Sequence, residues 1–263
     1  DAEEAVDYVD KMVKLGDFQQ IDPQAPGPDD IRHIGGLTFV MARTTHGEIG
    51  FSLPGQVHEP PAEALETVIR FAGVFDLAYK RFEDLRQSEY RKREAEIDLG
   101  LEKLRSRTMA MQHSHEIPEV ANLMFLEIQR LGIPAWSCGF NILAEDKTAS
   151  VCLMSSEGTL QKPFDLPFMG EASFLEWYDF VTGEEDFFVQ ELDGESIESH
   201  YDYMKSLPQL TPIFQDLQDA GLSLPTYQIN HLCKFTHGFL LFITYEEVED
   251  AHDIFRRFTS VFE

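Results

Sequence analysis

Two kinds of apolar spacing alternate along the second half of the chain. Ile117, Val120, Met124, Ile128 and Leu131 recur every three or four residues, and Glu116 and Glu119 precede or open the run. This spacing predicts one helix, capped by Ser114 and ended by Gly132. Residues 135–143 alternate instead, with Trp136, Cys138, Phe140 and Ile142 at every second position, which predicts a strand. Glu145-Asp146-Lys147 is a turn, and 150–155 forms the return strand. A loop with Pro163 and Pro167 leads into a helix at 172–181 and a short strand at 187–192. Two helices follow near 197–207 and 212–220. Strands at 227–235 and 239–245 flank the turn Thr236-His237-Gly238, and a helix at 250–262 closes the region. Helices and hairpins in this order describe an antiparallel sheet flanked by helices, the α+β class.

A long helix precedes this region. From Ala64 to Gln112 there is no proline, and Gly73 and Gly100 are the only glycines. Phe71, Phe75, Ala78, Phe82 and Leu85 are spaced 4-3-4-3. Tyr90, Ile97, Leu101, Leu104, Thr108 and Met111 continue a seven-residue rhythm in a shifted phase. An apolar seam of period 3.5 pairs helices, and the phase shift between Leu85 and Tyr90 behaves as a stutter. The expected dimer seam is Phe82, Leu85, Tyr90, Ile97, Leu101, Leu104 and Met111, in a parallel coiled coil.

The chain also repeats itself. Arg70, Phe71, Val74 and Phe75 match Arg257, Phe258, Val261 and Phe262 at an offset of 187, and Thr45-His46-Gly47 matches Thr236-His237-Gly238 at 191. A hairpin followed by an amphipathic helix thus occurs twice, as in a domain duplication. Expected boundaries are 1–75 for the C-terminal part of a first domain, 76–112 for the helical linker and 113–263 for a complete second domain. The first copy lacks a counterpart of 112–190, so the chain is expected to begin inside its first domain.

Charge narrows the partners. The formal net charge is −26, which repels phosphate backbones and anionic lipid, so neither nucleic acid nor membrane is an expected partner. Residues 80–108 depart from this with nine Lys/Arg against seven Asp/Glu, a mixed pattern that suits an exposed or self-pairing helix. No apolar run reaches the ~20 residues of a membrane span. Three scattered cysteines, Cys138, Cys152 and Cys233, make no disulfide framework, and a reducing cytoplasm is expected.

The segment 75–85, then Glu94-Ala95-Glu96-Ile97, then 101–112 ending Met109-Ala110-Met111-Gln112, resembles the inter-domain linkers of tandem GAF-like sensory regions in Bacteroidetes-type bacterial sensor proteins. The resemblance is detailed over 64–117 and recurs at the C-terminal helix. It implies a GAF-like fold, also favoured over a PAS arrangement by the helix before the first strand. It further implies a non-catalytic sensory and dimerisation segment upstream of a kinase, cyclase or regulatory output domain. It implies no particular ligand and no cofactor.

Candidate chemistry is sparse. His113-Ser114-His115-Glu116-Ile117-Pro118 departs from a histidine-kinase phosphoacceptor box, because Pro118 follows Ile117 directly, and it reads as a helix start. The histidines show no ligand spacing, so no metal is expected. His46 and His237 precede turn glycines, and His231 and Cys233 share a strand face as core residues. No catalytic residue is expected. Cys138 and Cys152 straddle a hairpin as possible cross-strand neighbours, which leaves a thiol redox sensor or enzyme as one alternative and a degenerate scaffold with a filled core as another. In GAF domains the region after the first hairpin lids a ligand cavity. Trp136, Phe164, Phe168, Phe174, Trp177 and Tyr178 are therefore the candidate pocket residues for a small molecule.

Overall fold

The computed structural model describes residues 1–15, 26–156, 158–219 and 223–263, without the side chains of Ser114 and 216–219. The cap expected of Ser114 and the last residue of the helix expected at 212–220 lie outside the described residues. The chain divides into two compact units, Asp1–Arg91 and Lys92–Glu263. Unit 1 holds α1 (Ala2–Leu15), α2 (Pro28–His33), β1 (Leu37–Thr44), β2 (Gly47–Pro54) and the first part of α3 (Ala62–Ala110). Unit 2 takes the rest of α3, then α4 (Ile117–Arg130), β3 (Ala135–Leu143), β4 (Ala149–Ser156), β5 (Thr159–Leu160), β6 (Phe164–Pro167) and α5 (Ala172–Thr182). These are followed by β7 (Phe187–Asp193), α6 (Gly194–Ser206), α7 (Thr211–Asp219), β8 (Tyr227–Phe235), β9 (Gly238–Thr244) and α8 (His252–Thr259). The class is α+β. No helix among the described residues is long and apolar enough to cross a membrane.

Unit 2 is built on a seven-stranded antiparallel sheet in the order β5-β4-β3-β9-β8-β7, with β6 also on β4. The stretch expected to be a loop around Pro163 and Pro167 thus contains a strand. It runs along an edge, where a proline at the strand end removes no central ladder bond.

Alternation along the strands sends side chains to two cores. On one face Cys138, Phe140, Cys233, Leu240 and Phe242 meet Met124, Phe125 and Ile128 of α4, Phe255 and Phe258 of α8, and Ile97, Leu101 and Leu104 of α3. On the other face Cys152, Met154, Leu232, Phe239 and Leu241 meet Phe174, Trp177 and Phe180 of α5. The helix α4 ends in a closure that requires Gly132 in the left-handed region (φ 75°). The Ile133 N–H donates to Ile128 O at 3.3 Å, and the Gly132 N–H to Gln129 O at 2.8 Å.

Polar contacts lock the α3 segment onto the first face. Arg257 on α8 donates to Glu94 at 3.1 Å and to Asp98 at 2.8 Å. The buried Glu127 of α4 accepts from Lys103 at 2.6 Å and from Arg130 at 2.8 Å. A buried carboxylate is tolerated when paired and hydrogen-bonded in this way.

Unit 1 carries the first copy of the hairpin. Thr44 pairs with Gly47 around Thr45-His46, and Phe235 pairs with Gly238 around Thr236-His237. The repeat reaches further than the hairpin and closing helix. Ala2–Leu15 moved by 191 falls on 193–206, which is α6 with its N-cap Asp193, and buried Val6 falls on buried Ile197. The surroundings differ. In unit 2, β9 pairs with both β8 and β3, whereas among the described residues β2 pairs with β1 alone. Phe71 is 61 % exposed, and its counterpart Phe258 is fully buried.

The paired strands make one test. A Cβ on Gly238 would lie 1.9 Å from the Asn141 carbonyl oxygen, while one on Gly47 meets nothing within 4 Å. Gly238→Ala is expected to destabilise unit 2 by about 1–3 kcal/mol through forced backbone shifts. Gly47→Ala lacks that clash. Urea denaturation followed by tryptophan fluorescence checks this, because both tryptophans lie in unit 2.

Candidate functional site

A cavity of about 90 Å³ opens between the sheet and the helices α5, α6 and α7 of unit 2. Its position follows from strand alternation with one exception. Trp136 belongs by simple alternation to the α4 side, with Cys138 and Phe140. The β3–β9 register shifts between Ala135 and Ser137, however, and this irregularity turns Trp136 into the cavity on the opposite side. Its Nε1–H is buried with no partner among the described residues.

The floor holds the buried amides of Asn141, Gln228 and Asn230, and Gln190 is bonded to Asn230. Asn141 on β3 and Asn230 on β8 are fully buried, with Gln228 on β8 and Gln190 on β7 nearly so. Gln190 Oε1 accepts from Trp177 Nε1 at 2.8 Å and from Asn230 Nδ2 at 3.1 Å. Gln190 Nε2 donates to Ser173 O at 2.9 Å and to Glu176 at 2.7 Å. Gln228 Nε2 donates to Asn230 Oδ1 at 2.9 Å, and Tyr201 OH donates to Gln228 Oε1 at 2.5 Å. Asn141 Oδ1 accepts from Ser150 Oγ at 3.1 Å and Cys152 Sγ at 3.0 Å. Interconnected amides of this kind fix side-chain orientation and leave few buried groups unpaired.

His200 forms part of the wall. Its Nδ1 lies 2.8 Å from Ser173 Oγ, which in turn donates to the Glu171 carboxylate that caps α5. Burial lowers the His200 pKa to about 4, against a weaker opposing pull from Glu171, so the ring is neutral near pH 7. Among the described residues no Lys, Arg, Asp or Glu lines the cavity, so the recognition chemistry they offer is that of neutral dipoles and aromatic faces.

Of the six residues expected to form a pocket, Trp136, Phe164, Phe174 and Trp177 line this cavity. Phe168 and Tyr178 do not: Phe168 is fully buried in the apolar core and Tyr178 packs beside that core. The amides, His200 and Tyr201 were not anticipated. Gln228-Ile229-Asn230 carried a signal, since alternation in a buried strand puts both amides on one inner face.

The expected seam divides into two sets. Phe82, Leu85 and Tyr90 are exposed, at 54, 46 and 66 %. Ile97, Leu101 and Leu104 are buried in unit 2 itself, and Met111 packs against the same core. This corrects the seam. The C-terminal half of the rhythm faces α4 and α8 of its own chain, because an apolar stripe packs on whichever apolar surface closes first around it.

The cysteine pairing is likewise corrected. Cys138 lies opposite Ser155 and Cys152 opposite Asn141, so the two thiols project to opposite faces of the sheet. Burial pushes Cys138 far above the ordinary thiol range and raises Cys152 and Cys233 to about 12. His231 and Cys233 share the α8 face as alternation requires. His231 Nε2 sits 3.0 Å from Thr244 Oγ1, and burial, with a smaller contribution from His252, lowers the His231 pKa to about 3. His46 occupies its turn, with its ring centroid 4.2 Å from that of Tyr79. Among the described residues no group of three His, Cys, Asp or Glu could hold a metal ion. No protein-family model and no curated protein matches the chain.

Two measurements follow from these environments. His200 and His231 take up protons near 6.5 when unfolded but only near 4 and 3 when folded. Their neutral forms therefore favour the folded state fully above pH 6.5, and that contribution is lost as pH falls towards 4. Urea midpoints should drop over this window, and His200→Asn should flatten the profile by up to ~1.4 kcal/mol per pH unit. Iodoacetamide at pH 8 is expected to leave all three thiols unmodified in the folded protein and to label all three in urea, as read by intact mass. Rapid native labelling of Cys138 or Cys152 would revive the thiol-sensor alternative.

Proposed function

We propose that this chain is a non-catalytic sensory and dimerisation module of a bacterial signalling protein, of the GAF-like kind, working in the cytoplasm. It holds a small molecule in the unit 2 cavity and passes the resulting change to α3, and through it to an output module of the protein. The observation that carries this reading is the cavity itself: buried amides and aromatic rings converge on it, and one indole N–H there has no partner among the described residues. Ligand sites commonly pair an apolar wall with a few placed polar groups.

The route to α3 is short. Asn141 faces the cavity from β3, while its neighbours Phe140 and Ile142 pack on the α4/α8 side, the core that also holds Leu101 and Leu104. A ligand that shifts β3 acts on both faces of one strand, and the packed core carries the displacement to the helix.

The dimer partner in this reading is a second copy of the chain, met through the exposed stripe Phe71, Phe75, Phe82 and Leu85. Its period is 3.5 residues, which suits a parallel helix of the same kind. The near-balanced charge of this stretch lets two strongly acidic chains approach there. The cavity's small size favours the alternative of a degenerate scaffold, with dimerisation retained and no ligand.

Native mass spectrometry tests the reading. The expected result is a dimer carrying a small molecule in addition to the protein mass. A bare dimer would favour the scaffold, and a bare monomer would overturn both. Phe75→Glu with Phe82→Glu is expected to give a monomer at micromolar concentration and to leave the urea transition of unit 2 unchanged. Leu101→Lys with Leu104→Lys should instead destabilise unit 2 by several kcal/mol, because each places an unpaired charge in its core.

A further inference from the structure

Hydrogen-bonding capacity around the cavity is lopsided. Each buried amide oxygen already accepts at least one bond: two reach Asn141 Oδ1, one each reaches Gln228 Oε1 and Asn230 Oδ1, and two reach Oε1 of Gln190, which is bonded to the lining Asn230. The donors are not all used. Trp136 Nε1–H has no partner. Each amide nitrogen carries two hydrogens. Asn230 uses one on Gln190, and Gln228 uses one on Asn230. The Asn141 amide nitrogen meets only the Met154 thioether, at 3.9 Å, a weak acceptor. Buried donors without acceptors are costly, so a molecule that supplies acceptors gains more here than one that supplies donors.

We infer that the cavity takes a small uncharged molecule presenting a hydrogen-bond acceptor on a compact apolar body, of the small-ketone class. This rests on the sensory reading above and narrows it. Among the described lining residues a cation would find no carboxylate. A phosphate or carboxylate would find no Lys or Arg among the lining residues, and neutral donors alone compensate poorly for stripping water from an anion. Size sets the scale, since an engineered cavity of about 150 Å³ accommodates benzene and this one measures about 90 Å³. A five-membered ring is thus near the upper limit without movement of α6 or α7. Phe174, Trp177 and Leu241 offer the apolar body a surface, while Trp136, Asn141 and Asn230 offer the carbonyl its donors.

The experiment uses three probes of similar shape: cyclopentanone (acceptor only), pyrrolidinium (cationic donor) and cyclopentane (neither). The readout is the ¹H–¹⁵N spectrum of the two indole groups in the full chain, Trp136 being assigned by Trp136→Phe. Cyclopentanone is expected to shift the Trp136 indole signal downfield saturably, with little change at Trp177, whose N–H already bonds to Gln190. Pyrrolidinium should leave both signals in place, and cyclopentane should produce no downfield shift. In Trp136→Phe, the side-chain amide signals of Asn230 should still respond to cyclopentanone, with affinity lowered about 3- to 10-fold by loss of one hydrogen bond. A response to pyrrolidinium without one to cyclopentanone, or equal responses to cyclopentane and cyclopentanone, would overturn the ligand class while leaving a binding cavity. No response at either indole or at Asn230 to any probe would overturn the sensory cavity itself and leave the groups around it to ordered water.

Discussion

The docking of residues 94–104 of α3 onto one face of the unit 2 sheet governs much of the rest. Ile97, Leu101 and Leu104 enter the same core as α4 and α8, and Arg257 fastens α8 to Glu94 and Asp98 across that contact. Gly100 lies where these helices come closest: a Cβ there would approach Glu127 Oε2 and Phe258 Cζ, each at 3.4 Å. A long helix that would otherwise be solvated is thereby made part of a folded unit over its second half. Helical stability of this kind comes from tertiary packing of one face more than from propensity. Its first half belongs to unit 1, and the unit boundary at Arg91–Lys92 falls close to the point where the apolar rhythm changes phase. The phase shift therefore coincides with a change in what covers the helix.

The sheet separates two kinds of interior. Towards α4 and α8 the contacts are aliphatic and aromatic, with Phe242 and Phe255 stacked at 4.3 Å between centroids. Towards α5 and α6 the same strands present amides, and the packing leaves a void beside them. A strand residue that moves on one side must carry its neighbours with it, because interiors are close-packed. In the proposed function this coupling relays a ligand signal with no dedicated pathway of polar residues. The neutral lining complements the strongly acidic surface. In the proposed function the site selects by shape and by hydrogen-bond direction.

The duplication gives the same local sequence two surroundings. Both hairpins turn through Thr-His, and α1 and α6 keep the same offset from them. Among the described residues, a third strand lies beside the hairpin in unit 2 and not in unit 1. The consequence is legible at single residues: Phe71 and Phe258 are equivalent, yet one is largely exposed and the other fully buried. Exposed aromatic residues in a contiguous stripe are uncommon on an isolated soluble surface and point to association. The helix stripe from Phe71 to Leu85 is the place where unit 1 offers such a surface.

The sequence by itself determined the α+β class, the two hairpins at their observed strands, the long helix and the direction in which most core side chains point. These follow from periods of 2 and 3.6, which act over neighbouring residues and need no knowledge of the rest of the chain. The strand at Phe164–Pro167 escaped notice because its pairing with β4 is tertiary and its prolines speak locally for a loop. Four of the six aromatic pocket residues were legible for the same local reason that makes any apolar cluster legible. The tertiary structure alone decided that Phe168 and Tyr178 stand outside the cavity, that an irregular register turns Trp136 into it, and that Asn141 of β3 meets Gln228 and Asn230 of β8 on its floor, with Gln190 of β7 bonded to Asn230. It also decided that Leu101 and Leu104 face their own domain: a heptad-like rhythm states that a helix face will be covered and says nothing of which surface covers it. Cys138 and Cys152 make the same point, since positions symmetric about a turn become neighbours only if the register places them on one face, and here it places them on two.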